Sequence, residues 1–206
     1  MRDGVVEVLS QVGDFLAREE PLFALYGGAA AIDDATLHAT VAFGSERTME
    51  QDPMFAFRIL VDIALKALSP AINDPTTAVL AIDQVHRLLR AVGKRRLHGD
   101  EIFDKGGSRR IIYRTPDWQD FVHVAFTEIR ACGVANVQIA RRLRAMLDNL
   151  FVALPPHRHK ELEAERHRLD RAIEAAYTDP DDLMLARIAD AQGLGGSSSR
   201  RASKRS

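Results

Sequence analysis

The sequence predicts a mainly α-helical protein of the α+β class, built around a buried αα-hairpin. The dipeptide Asp-Pro precedes three apolar stretches, and an Asp cap followed by Pro is typical of a helix start. The run "MFAFRILVDIALKALS" is apolar over most of a helical circumference, which favours a central helix. Valine-rich residues near the start and a Gly106-Gly107 turn add a small amount of β structure.

Residues 1–28 are predicted to form a partial β-rich element. A valine-rich run at 5–8 is followed by a Gly13-Asp14 turn and by a second apolar run from Leu22 to Tyr26. Two short strands are marginal without further partners. We therefore expect this short N-terminal β element to be the least stable part of the chain.

Residues 29–192 are predicted to form a helical domain. Asp52-Pro53 and Asp74-Pro75 begin two apolar helices, which "SPAIN" joins into the αα-hairpin, and Asp179-Pro180 begins a late helix. A small β-hairpin is predicted near 101–114. Further helices are predicted at 117–131, 136–153, 156–177 and 180–191. The Gly, Ser, Arg and Lys composition of residues 193–206 predicts a disordered basic tail.

The αα-hairpin should form the centre of the core. The residues that we expect to be buried there are Phe57, Ile59, Leu60, Ile63, Leu80 and Val85. Arg58, Asp62 and Lys66 are spaced four residues apart and should form a ladder along one solvated edge.

Composition indicates a soluble globular chain. It has 206 residues, of which 46% are hydrophobic and 28% charged. No apolar run reaches the roughly 18–20 residues that span a bilayer, and the start lacks a signal-peptide pattern. Cys132 is the single cysteine, which excludes an internal disulfide. The interpretation is a cytoplasmic protein, and a net charge of −1 argues against a nucleic-acid partner.

Positive charge is concentrated in two segments. Residues 87–114 contain nine Lys or Arg against three acids, and the tail adds four more cations. Such segments on an acidic body suggest an anionic partner, such as the lipid headgroups of a membrane surface or a nucleotide. The favoured alternative is a solvated loop followed by a disordered end.

The most specific pattern lies between Gly44 and Val85. Its motifs are Arg-Thr at 47–48, Gln-Asp at 51–52, Val-Asp-Ile-Ala at 61–64, Ala-Leu-Ser-Pro at 67–70, Asn-Asp-Pro at 73–75 and Thr-Ala at 77–78. This block resembles a bacterial family of predicted membrane proteins known as domain of unknown function 2254 (DUF2254). The resemblance implies N-terminal transmembrane helices followed by a soluble portion like this chain. It also implies that the chain is a truncated product, or a variant without its anchor.

The polar residues of this block form the candidate ligand-binding site. They are Arg47, Gln51, Asp52, Ser69, Asn73, Asp74, Thr76 and Thr77. They border two helix starts, where free N–H groups suit an anion, but an Asp cap satisfies those groups itself. Two interpretations stay open, an anion pocket and simple helix punctuation. The second is favoured, and under it Asn73→Ala should be nearly silent unless the Asn73 side chain bridges the turn.

The sequence offers little support for catalysis. It contains no Walker loop, Gly-x-Ser-x-Gly elbow or zinc signature, so no catalytic residue, metal ligand or cofactor is predicted. The leading hypothesis is a non-catalytic cytoplasmic sensory or assembly domain, with self-association or the family's membrane portion as its partner. The alternative is a small-anion or nucleotide-binding domain, or an enzyme, that uses the region of Arg47, Asn73 and Asp74.

Overall fold

The computed structural model describes residues 4–97 and 99–196. Within them are seven α-helices and four short strands, so the mainly helical α+β prediction is confirmed. In chain order they are β1 (Val5–Val8), β2 (Phe23–Tyr26), α1 (Asp34–His38), α2 (Pro53–Ala67), α3 (Pro75–Gly93), β3 (Glu101–Phe103), β4 (Arg109–Ile112), α4 (Trp118–Gly133), α5 (Val137–Ala153), α6 (His159–Ala176) and α7 (Pro180–Ala186). Gly27–Ala31 and Pro156–Arg158 form short 3-10 helices.

Contacts between residues divide the chain into two compact units. The first unit comprises Met1–Phe55 and Leu97–Pro116, and the second comprises Ala56–Arg96 and Asp117–Ser206. The first unit therefore contains all four strands, and the second contains most of α2 together with the other long helices.

The first unit is organised by a four-stranded sheet of order β2-β1-β4-β3. Strand β1 pairs antiparallel with β2 and parallel with β4, with Val6 opposite Ile111. Strands β3 and β4 form the hairpin that the sequence predicts near 101–114. The N-terminal strands, which we expected to lack partners, thus obtain one from a segment about a hundred residues later. A parallel pair needs such a long crossover connection.

The core of the second unit lies among α3, α4, α5 and α6. Each helix buries a stripe at three- and four-residue spacing, such as Ile82, Val85 and Leu89 on α3. Local signals fix the helix starts. Asp117 and Asp120 form a capping box at α4, and the Asn136 side chain caps α5.

Helix α2 is less deeply buried than its composition predicts. Phe57 and Val85 are buried, as expected, but Ile59 and Leu60 are half-buried. The prediction was wrong for Ile63 and Leu80, which are 44% and 59% exposed. The reason is geometric, because α2 buries only the stripe of Phe57, Val61, Ala64 and Ala67, and Ile63 lies outside it. Leu80 belongs to α3 and lies outside the face of that helix that Ala78, Ile82, Val85 and Leu89 bury.

The C-terminal segment also differs from the expected architecture. Helix α7 ends at Ala186 rather than near residue 191. Gly193, assigned by sequence to the disordered tail, is buried, and residues 193–196 make hydrogen bonds to the helical unit. The remainder of the predicted tail, 197–206, lies outside the described residues.

Candidate functional site

Ser69, Asn73, Asp74 and Thr77 come together in the turn between α2 and α3. The amides of Ile72 and Asn73 donate to the Ser69 carbonyl at 3.0 and 2.8 Å. The Asp74 amide reaches back to the Ala67 carbonyl at 2.8 Å. The turn is therefore closed by its own backbone, and Thr76 follows in the first turn of α3.

Asn73 occupies a left-handed backbone conformation in this turn. Its φ is +45°, one of two positive values among the non-glycine residues described. Asparagine tolerates this region better than most residues with a side chain. The turn therefore requires a positive φ at position 73, and asparagine can adopt it.

Asp74 caps helix α3. Its carboxylate accepts from the Thr77 amide at 3.0 Å and from the Thr77 hydroxyl. The hydrogen bond from the Thr77 side chain is the main cause of a lowered Asp74 pKa, with the backbone bond second. The carboxylate is consequently charged at neutral pH and engaged with the helix start.

Arg47, Gln51 and Asp52 surround the start of α2 in the first unit. Asp52 is 4% exposed and accepts from the Met54 amide at 2.9 Å. The Arg47 guanidinium lies 3.8 Å from Asp52 Oδ2, and Gln51 is exposed. A Cβ on Gly13 would lie 2.5 Å from the same oxygen, so a glycine permits the close approach of that loop. Asp52 therefore joins a loop, an arginine and a helix start.

The predicted site residues thus form two groups in different units. In each group an aspartate accepts the hydrogen bonds that a bound anion would otherwise accept at the helix start. Binding of an anion or nucleotide by these residues stays a prediction.

An open depression in the first unit was not anticipated from the sequence. Its volume is about 550 Å³. Its lining residues are Leu16, Ala17, Arg18, Glu19, Glu20, Leu22, His38 and Phe43. Apolar side chains are thus mixed with charged ones, without a grouping that indicates a particular chemistry.

The sequence analysis also missed a buried polar cluster between α3 and α5. Arg142 is 6% exposed and donates through Nε to Asp83 at 2.6 Å. Its Nη2 lies 3.1 Å from His86 Nδ1, and His86 Nε2 lies 2.9 Å from Asn149 Oδ1. Because a guanidinium only donates, His86 Nδ1 must be the acceptor, which places the ring proton on Nε2.

The environment of His86 favours its neutral form. Burial is the largest cause of a lowered His86 pKa, and the positive charge of Arg142 is the second. The neutral ring can accept from Arg142 and donate to Asn149 at the same time. The hydrogen bond from Arg142 to His86 therefore requires an uncharged ring, whereas the bond from Arg142 to Asp83 does not.

Arg141 is a second buried cation on α5. It is 2% exposed and donates to the carbonyl groups of Ile188, Gly195 and Gly196 at 3.1, 3.2 and 2.8 Å. No local sequence signal distinguishes these two arginines. They are buried because α3, α4, α6 and α7 all contact α5 and cover it on most of its circumference.

Other side-chain types add no further site. Cys132 is exposed. Within residues 4–97 and 99–196, no three His, Cys, Asp or Glu side chains are grouped so that they could hold a metal ion. In the same part of the chain, no helix has both the length and the apolar character needed to cross a bilayer.

Comparison with known proteins assigns this chain to a family. A family model described as a predicted membrane protein, DUF2254, matches residues 1–149. The chain belongs to the DUF2254 family. The match includes the whole sheet, the α2–α3 turn and most of α5. It ends before α6, α7 and the segment held by Arg141.

Mycobacterial proteins are among the relatives of this DUF2254 chain. Uncharacterised proteins from Mycobacterium tuberculosis and Mycobacterium bovis are 30% identical to it over 146 residues. The alignments cover 70% of this chain and 28% of each relative. The chain therefore spans less than a third of the curated relatives that it matches. No solved structure matches it significantly.

Proposed function

We propose that this DUF2254 chain is a non-catalytic cytoplasmic domain with a sensory or assembly role, and that α2 and α3 supply its contact surface. One observation carries the proposal. Ile63, Ile72 and Leu80 are 44%, 50% and 59% exposed, although they belong to the most apolar part of the chain. We call these three residues the assembly face.

The assembly face has the composition of a protein interface. We infer that these three side chains, which lie on α2, on α3 and in the turn between them, form one surface. A contiguous exposed apolar patch is typical of an interaction site, whereas single exposed apolar residues are ordinary. Charged Asp62 and Lys66 lie beside Ile63 on α2 and can provide a polar rim. All of these residues lie inside the region that the family model matches.

The polar groups of the candidate site support an architectural role. Asp52 and Asp74 cap helices, and Asn73 shapes a turn. The relatives are more than three times as long as the aligned region, so they contain other segments that such a surface can contact. For the chain alone, we propose self-association as the contact that can be measured directly.

The test is the dependence of molar mass on protein concentration. Sedimentation of the parent should reveal an oligomer that dissociates on dilution. The double substitution Ile63→Lys and Leu80→Lys should shift the population to monomer and leave the melting temperature nearly unchanged, because both side chains are already exposed.

Val152→Lys combined with Met184→Lys is the matched control, since these side chains are 87% and 62% exposed and lie outside the assembly face. This variant should associate like the parent. A parent that remains monomeric at every concentration would contradict self-association. Loss of association in the control as well would show that added charge, rather than the assembly face, is responsible.

A further inference from the structure

Two basic segments of the second unit are held against each other. The first, Lys94–Arg96, follows α3, and the second, His157–Lys160, leads into α6. Arg158 joins them, because its Nη2 donates to the Arg95 carbonyl at 3.0 Å and its Nε to the Gly93 carbonyl at 3.4 Å. The sequence gives no hint of this meeting, since about sixty residues separate the segments.

The junction is rigidly supported. The Arg158 guanidinium carbon lies 5.4 Å from the centre of the Trp118 ring. The indole N–H of Trp118 donates to the Arg158 carbonyl at 3.0 Å. Trp118 itself is buried. The second segment is thus held by the contacts of Arg158 with Trp118 and with the carbonyl groups at the end of α3.

The exposed basic side chains at this junction lack acidic partners. We define the basic patch as Lys94, Arg95, Arg96, His157 and Lys160, all of which are exposed. In the part of the chain that the structure describes, none of these side chains forms an ion pair. The neighbouring acids Asp117 and Asp120 instead accept each other's backbone N–H groups in the α4 capping box.

The β-hairpin that also belongs to the basic region differs in this respect. Arg109 pairs with Glu101 at 2.6 Å, and Arg110 pairs with Asp104 at 2.7 Å. These arginines are neutralised within the hairpin. The unpaired positive charge of residues 87–114 therefore lies chiefly at Lys94–Arg96. The second segment, His157–Lys160, adds further basic side chains there.

We propose that the basic patch binds the anionic headgroups of a lipid bilayer. Long, exposed and unpaired Lys and Arg side chains suit a surface of negative charge. Trp118, the aromatic side chain at the junction, is buried beneath Arg158 and offers no exposed platform for stacking a nucleobase. Membership of a family of predicted membrane proteins supplies a bilayer as the partner. The inference is independent of the assembly face.

The experiment measures co-sedimentation of the full-length chain with lipid vesicles. Vesicles of phosphatidylcholine mixed with phosphatidylserine are compared with vesicles of pure phosphatidylcholine. Binding should require phosphatidylserine and weaken as salt rises, because exposed charges are screened beyond a Debye length of about 10 Å at 0.1 M salt. The combined substitution Lys94→Gln, Arg95→Gln and Arg96→Gln should weaken binding at least tenfold, since each cation near an anionic surface contributes roughly fivefold.

A matched control separates the patch from net charge. Arg18→Gln, Lys105→Gln and Arg171→Gln remove the same number of exposed cations elsewhere. This control should retain most of the binding, and both triple variants should melt like the parent. Equal loss in the two variants, or binding to neither kind of vesicle, would overturn the proposal. So would a patch variant that binds normally, or a parent that binds single-stranded RNA but not the anionic vesicles.

Discussion

At the scale of single residues, the backbone angle φ of Asn73 determines which side chains the α2–α3 turn tolerates. Asparagine tolerates a φ of +45° because its short polar side chain can hydrogen-bond to nearby backbone, which the methyl group of alanine cannot do. We predict that Asn73→Ala lowers the free energy of unfolding by about 1 kcal/mol. The expectation from the sequence alone, a nearly silent substitution, is revised by this angle.

Asn73→Gly is the control for this prediction, because glycine adopts positive φ without the steric cost. Its unfolding in urea should remain close to that of the parent. If the alanine and glycine variants unfold at the same urea concentration, the left-handed conformation does not determine the stability of the turn.

A second prediction concerns His86 and the dependence of folding stability on pH. Its pKa lies below 6.5 in the folded chain, chiefly through burial and then through Arg142. As pH falls below about 6.5, the unfolded state takes up a proton more readily than the folded state, so stability decreases. The loss continues until pH falls below the lowered pKa of the folded state, and it is absent above 6.5.

His86→Gln isolates the contribution of this ring. Glutamine can accept from Arg142 and donate to Asn149 but does not titrate. Melting temperatures measured across this pH range should fall less steeply for the variant than for the parent. Parallel curves would show that protonation of His86 does not destabilise the fold.

At the scale of elements, α3 provides a matched pair of leucines. Leu89 is fully buried and Leu80 is 59% exposed on the same helix. Leu89→Ala should lower the free energy of unfolding by about 2–5 kcal/mol, because it leaves a cavity. Leu80→Ala should change it by less than about 0.5 kcal/mol. Chemical denaturation measures both, and equal costs would contradict the assigned orientation of the helix.

Helix starts could be predicted because their signals are local. Asp74 and Asp179 each accept from backbone N–H groups at the beginning of a helix, as the Asp-Pro pattern indicates. The same reasoning identified Asp52, which accepts from the Met54 amide. Because each cap depends only on residues two or three positions away, a single sequence is sufficient to find it.

Contacts between distant residues could not be predicted in the same way. The pairing of β1 with β4 joins segments about a hundred residues apart, and neither strand contains a signal that selects the other. Apolar composition also failed to distinguish Val61, which is buried, from Ile63, which is exposed. Composition measures the gain from burial, whereas the neighbouring elements determine which face is covered.

The candidate site illustrates the same limit. Its residues were grouped because they border two helix starts, and the structure does bring Asn73, Asp74 and Thr77 into one turn. Whether the site can bind a ligand depends on which groups already hydrogen-bond to the carboxylates of Asp52 and Asp74. Asp74 is engaged by Thr77, a detail that the spacing permits but does not require.

At the scale of the whole molecule, the C-terminal segment completes the helical unit. Gln138 donates to the Gly193 carbonyl at 2.6 Å, and Asp190 accepts from the Gly195 amide at 2.7 Å. A Cβ on Gly193 would lie 2.5 Å from Val79, so the segment approaches α3 closely. Residues beyond the family match are thus packed against helices within it.

This arrangement gives the last prediction, which concerns two shortened chains. A chain that ends at Gly196 keeps the three acceptors of Arg141 found in the described part of the chain, and it should melt like the full chain. A chain that ends at Gln192 loses two of them, Gly195 and Gly196. It should lose about 1–3 kcal/mol of stability, the usual cost of leaving a buried polar group without its partners. Thermal melting distinguishes the two, and equal melting temperatures would mean that water replaces the lost carbonyl groups without cost.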